Sequence, residues 1–148
     1  MKQILNKLGL IWERAGIFIM LAALAAVFAA INPDFRKANN ISNILLQCTP
    51  IGIAAIGMTF AIISGAFDLS VGSTMALTAC VTVSLIGVLG FYGAVAAGLV
   101  LGFLLGLVNG LIVTKIRISP FIATLGTLWV YRAFAYIYTQ NKPVQSTD

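Results

Sequence analysis

The run LSVGSTMALTACVTVSLIGVLGFYGAVAAGLVLGFLLGLVNGLIVT, residues 69–114, contains no Asp, Glu, Lys or Arg. A hydrocarbon layer is crossed by about 20 apolar residues in a helix, so this run is long enough for two crossings. A helix is the required form, because an unpaired backbone amide in hydrocarbon costs several kcal/mol and only a helix or a closed barrel removes that cost. The apolar runs are continuous rather than alternating, which argues against a barrel.

The rest of the chain agrees. Of its 148 residues 60% are apolar and 9% are charged, whereas a soluble domain carries roughly a quarter charged residues. The mean hydropathy lies far above zero. The net charge of +5 does not point to nucleic acid. The cations stand singly or in pairs at the ends of apolar runs, where membrane proteins keep them. The expected fold is therefore an all-α, polytopic integral membrane helix bundle of about five transmembrane segments, the second broken by proline.

Residues 1–14 hold Lys2, Lys7 and Arg14 and read as a cytoplasmic N-terminal tail. The apolar run Ala15–Ile31 is read as a true first span rather than a signal peptide, since it is long for that purpose and further apolar segments follow. Asn32-Pro33 is a turn signal, and residues 32–40 are polar. A second segment covers residues 41–64, with a kink or break expected at Pro50, which lacks a backbone donor. Small residues surround Asp68 in Ser64-Gly-Ala-Phe-Asp-Leu-Ser-Val-Gly-Ser73. A third helix is expected over 71–89, a tight connection at Gly90-Phe-Tyr-Gly93 and a fourth helix over 93–114. Ser119-Pro120 opens the fifth, with serine at N-cap and proline at N1, and it runs to about Thr139. Residues 15–139 thus form the transmembrane domain, and 140–148 a polar outer loop or tail. With the N-terminus inside, Lys2, Lys7, Arg14, Lys115 and Arg117 lie on the inner side and Arg36, Lys37 and Lys142 on the outer; five against three supports that orientation.

Ala94, Gly98, Gly102, Gly106 and Gly110 recur at every fourth position. Such a stripe lets two helix backbones approach closely, and helix packing is the reading; a stripe facing a moving partner helix is the sharper alternative. Asn109, beside it, is either an interhelical hydrogen-bonding residue or part of a polar path. Asp68 and Ser70 precede a helix, where a side-chain oxygen accepts from free amides and the dipole favours negative charge; the alternative is a role at the cytoplasmic mouth of a pathway. Arg132 lies about 20 Å into the fifth helix at 1.5 Å per residue. It either snorkels to the outer surface or faces a water-filled path, and it is not expected to pair with Asp68. Cys48 and Cys80 lie in no metal-ligand or C-x-x-C spacing and are expected to be buried free thiols.

There is no histidine and no glycine followed by lysine, so the chain carries no Walker-type nucleotide cradle. No paired carboxylates, nucleophile–base pair or metal cluster can be assembled. An enzyme is not expected, nor any cofactor or metal in this chain.

Gly57-Met58-Thr59, the Ser64–Ser73 stretch, Val108-Asn109-Gly110-Leu111 and Ser119-Pro120-Phe121-Ile122-Ala123-Thr124-Leu125-Gly126-Thr127 occur in an order that resembles the monosaccharide permeases of bacterial ATP-binding-cassette importers, of the ribose, xylose, arabinose and galactose type. Arg132 fits too, although Ala133 stands where that family has glycine. The resemblance implies a dimeric pore in the cytoplasmic (inner) membrane, fed by a periplasmic or lipid-anchored sugar-binding protein and driven by two cytoplasmic ATPase subunits. It implies that the fifth helix lines the path, which draws attention to Thr124, Thr127 and Arg132. Family members continue into a second set of helices carrying the ATPase-facing surface, so the chain is similar to the N-terminal portion of a permease. Its expected partners are the ATPase subunits, the binding protein, a second permease copy or the C-terminal half, and membrane lipid. A non-transporting scaffold and an ion-coupled transporter are the competing readings; the latter class usually needs buried acidic or histidine relays.

Overall fold

The computed structural model describes the backbone of residues 2–145 and the side chains from Ala15 onward. Every regular element among the described residues is helical: α1 Lys2–Ile31, a 3-10 turn Pro33–Arg36, α2 Ala38–Ile63, α3 Val71–Thr114 and α4 Pro120–Thr139. Two of these, α2 and α3, are long and apolar enough to cross a membrane, and Ala15–Ile31 forms a shorter apolar helix. The chain divides into two compact units, one up to Gly52 and one from Ile53.

The first unit turns where the sequence says it should. Asn32 is extended (φ −127°, ψ 111°) and its side chain accepts from Asp34 N at 2.9 Å, ending α1 and opening the 3-10 turn with Pro33 in its first residues. Asn40 Nδ2 donates to Phe35 O at 3.0 Å, and the Phe28 and Phe35 rings lie 5.8 Å apart. Lys37 and Asp34 pair at 2.7 Å with about 70% of each side chain exposed, so their pairing contributes little. Residues 2–14 are helical and continuous with the apolar run; their side chains lie outside the described residues. One expectation is corrected here. Pro50 does not break α2, which is assigned as one helix from Ala38 to Ile63. Proline removes a single donor, and membrane helices tolerate that loss; the neighbouring Thr49 hydroxyl donates to Leu45 O at 2.8 Å.

In the second unit, α3 is assigned as one element of 44 residues. A straight helix of that length would run about 66 Å, twice the hydrocarbon thickness of about 30 Å. Gly90 resolves the mismatch. Its φ of 66° and ψ of 171° are non-helical, in a region essentially confined to glycine. The chain doubles back there, so the expected third and fourth helices are the two arms of α3, joined more tightly than the four-residue connection anticipated.

The arms pack through small residues. A Cβ added at Gly98 would overlap Thr82 Oγ1, and one at Gly102 would meet Thr78 Cγ2 at 3.5 Å. Ala94 and Gly98 are buried. The lower half of the stripe behaves differently: Gly106 and Gly110 have nothing within 4 Å of an added Cβ. α4 then closes a three-layer core, with Leu77, Tyr131 and Ala135 packed against Val81, Leu101 and Leu105. Most large apolar side chains, such as Phe60, Phe103 and Trp129, point outward. That arrangement suits a lipid solvent, in which apolar burial gives no drive for helix association and close packing of small residues does.

The cysteines correct a further expectation. Cys48 and Cys80 are free, but Cys48 is exposed and Cys80 is only half-buried. An apolar neighbourhood on a membrane helix faces lipid as readily as protein, so it does not imply burial.

Candidate functional site

A run of hydrogen bonds ties the turn before α3 to both arms of α3 and to α4. Asn109 Nδ2 can only donate, and it lies 2.7 Å from Ser70 Oγ. Ser70 therefore accepts, and gives its own proton to Asp68 Oδ1 at 2.7 Å. On the other side of Asn109, Tyr131 OH lies 3.2 Å from Asn109 Oδ1 and 3.0 Å from Leu105 O, sharing one proton between them. Every donor points the same way, from Tyr131 through Asn109 and Ser70 to the carboxylate. Aligned hydrogen bonds of this kind polarise one another in a low-dielectric interior. Ser70, Asn109 and Tyr131 are all at most 5% exposed.

Thr124 anchors the same turn from α4. Its hydroxyl accepts from Leu69 N at 3.1 Å and lies 2.8 Å from Pro120 O and 3.1 Å from Phe67 O. Thr127, one turn along, bonds Thr124 O at 3.3 Å. Ser119 is the N-cap of α4 and Pro120 its first residue, as the sequence suggests, although the Ser119 side chain makes no capping bond.

Asp68 departs from the capping expectation. The N-cap of α3 is Ser70, and the Asp68 carboxylate receives Ser70 N at 2.8 Å and Ser70 Oγ rather than the free amides of the first turn. It lies two residues too early in the chain to reach them, so it fixes the N-cap residue instead.

The residues singled out from sequence thus fall into two groups. Asp68, Ser70, Asn109 and Thr124 come together, with Thr127 beside them. Arg132 does not join them. It is exposed and lines a cavity of about 530 Å³ between the first arm of α3 and α4, together with Ser73, Cys80, Tyr136 and Lys142. No ion pair joins Arg132 to Asp68 among the described residues. Tyr131 was missed. A tyrosine among the aromatics of α4 reads as lipid-facing or interfacial, and only its position one turn beyond Thr127 puts it on the same face as Thr124 and Thr127.

Residues 40–146 match the family model described as "Branched-chain amino acid transport system / permease component". The chain belongs to this family. It is 41% identical to the ribose import permease protein of Haemophilus influenzae over 128 residues, 86% of this chain and 40% of that protein. It is 42% identical to the Escherichia coli ribose import permease over 129 residues, with the same coverage. It is 38% identical to the E. coli L-arabinose transport system permease over 141 residues, 95% of this chain and 43% of that protein. The chain therefore spans about two fifths of the length of the curated relatives it matches. No solved structure matches. The hydrogen-bonded residues and the cavity of this permease-family chain all fall within the matched region.

Proposed function

We propose that this chain is the membrane-spanning part of a permease that imports a monosaccharide through the cytoplasmic membrane, driven by ATP hydrolysis in separate subunits. The identity of about 42% to a ribose import permease across 86% of the chain carries this reading. It is supported by helices apolar enough to span and by an interior in which buried polar side chains stand beside a small apolar core. Five crossings follow if α3 counts twice about Gly90, with the N-terminus inside. ATPase subunits, a sugar-binding protein delivering the solute, and a second permease copy or further helices complete the assembly.

In this reading Ser70, Asn109, Thr124 and Thr127 brace the helices that form the path, because their side chains are committed to protein groups. Asp68, half-buried at the turn before α3, stands at the cytoplasmic mouth.

The family description names branched-chain amino acids, whereas the relatives matched along this chain carry ribose, allose or arabinose in their names. Uptake of labelled sugar by cells carrying the intact transport system separates the two. Loss of ribose, allose or arabinose uptake when the gene is deleted, with leucine uptake unchanged, is the expected result. Loss of leucine uptake alone would refute the sugar assignment.

A further inference from the structure

The cavity beside α4 is apolar at one end and carries cations from its middle to the other. Thr124 meets Leu69 at one level, and Ser84 bonds Tyr138 at another, so the first arm of α3 and α4 run side by side in the same direction. The lining residues on α4 extend from Leu128 to Thr139, about 16 Å at 1.5 Å per residue. At the deep end the walls are Leu69 and Leu128, and Ala76 follows about level with Arg132. The Ser73 hydroxyl there donates to Ser70 O at 2.8 Å, so its proton is already used.

Two cations line the cavity and no carboxylate does: Arg132 stands one turn beyond Leu128, about 6 Å at 1.5 Å per residue, and Lys142 lies at the far end. Neither has an ion pair or side-chain hydrogen bond among the described residues. Lys142 is brought over the cavity by a left-handed turn: Gln140 and Asn141 have φ of 52° and 58°, and Lys142 N bonds Thr139 O at 3.0 Å. Tyr136 and Tyr138 stand at this end of α4, and Tyr92 follows the Gly90 turn. Tyrosines gather at the depth of lipid headgroups.

We propose that this cavity binds an anionic phospholipid from the leaflet that meets the C-terminal end of α4, its phosphate between Arg132 and Lys142 and an acyl chain along Leu69, Ala76 and Leu128. Charge complementarity selects an anion, and the apolar deep end selects a ligand with a hydrocarbon tail. A sugar would set hydroxyls against leucine and alanine, and a free anion would leave the deep end unfilled. The proposal does not depend on which solute is carried.

Cys80 lines the cavity and is half-buried, so in a Cys48→Ser background its alkylation by N-ethylmaleimide reports occupancy. The purified chain in neutral detergent is titrated with phosphatidylglycerol, with phosphatidylcholine or with inorganic phosphate. At ten times its half-saturating concentration phosphatidylglycerol should slow Cys80 alkylation about tenfold and raise the unfolding temperature. Phosphatidylcholine and phosphate should do neither. Lys142→Gln, on the exposed turn beyond the helix, should weaken protection, and Arg132→Gln with Lys142→Gln should abolish it. Equal protection by phosphatidylcholine, protection by phosphate alone, or full protection in both Lys142→Gln and the double variant would each overturn the proposal.

Discussion

α2 and the α3–α4 pair are similarly apolar, yet they behave as opposites. α2 has 26 residues and none is buried. α3 and α4 bury ten between them, among them Ser73, Asn109, Thr124 and Thr127. Hydrophobicity does not separate the two regions. What α3 has, and α2 lacks, is small residues in register opposite a second helix and polar side chains that find each other. In lipid a leucine gains nothing by leaving its surroundings for another helix, whereas a close backbone approach gains dispersion contacts and a paired amide avoids an unsatisfied group.

That contrast can be broken most forcefully at Gly98. Gly98→Leu drives a side chain into Thr82 and should destabilise the chain by about 3 kcal/mol or more, the upper range of overpacking, seen as a large drop in unfolding temperature in detergent. Gly106→Leu, eight residues along the same stripe, meets nothing within 4 Å and should change stability by less than about 0.5 kcal/mol. Equal effects at the two positions would mean that the packing of the arms is not what the stripe provides. Next in size is Asn109→Leu. It leaves Ser70 without its donor and Tyr131 with Leu105 O alone, and a loss of about 1–2 kcal/mol is expected. A double-mutant cycle of Asn109→Leu with Tyr131→Phe should give a coupling of about 0.6 kcal/mol, the average for such pairs in membranes; additive losses would show that the two side chains do not interact. The smallest effect is expected at Asp68. Asp68→Asn keeps an oxygen for Ser70 and should cost under about 1 kcal/mol, while Asp68→Ala removes it and should cost more. An Asn variant that folds normally but abolishes transport in the intact system would give the carboxylate a role beyond holding Ser70.

Much of this was legible in residue order. The reversal at Gly90 follows from a charge-free run too long for one crossing, and the start of α4 from Ser119-Pro120. The pairing of Asn109 across helices was one of two readings that an amide beside a glycine stripe allows, and the geometry supplies its partners. The rest depended on facts that sequence does not carry. Whether Gly106 meets a neighbour is decided by how far the arms stay in contact, and the stripe looks the same along its whole length. Pro50 reads as a breaker because helix rules come from water, where an unpaired carbonyl and a free end are cheap; α2 keeps its helix through it. Asp68 was expected to cap because it precedes a helix; the helix begins at Val71 as expected, but its N-cap is Ser70, and a carboxylate two residues before the N-cap falls short of the first turn. Tyr131 was hidden because its hydroxyl matters only once Leu105 and Asn109 are known to lie opposite.

The importer assignment is tested most directly by affinity purification of the chain from native membranes, solubilised gently, with the retained proteins identified by mass. The account predicts recovery of a subunit carrying the nucleotide cradle that this chain lacks, together with a sugar-binding protein. Recovery of the chain alone, or only with copies of itself, from membranes in which such a transport system is intact would contradict it and leave a self-associating scaffold.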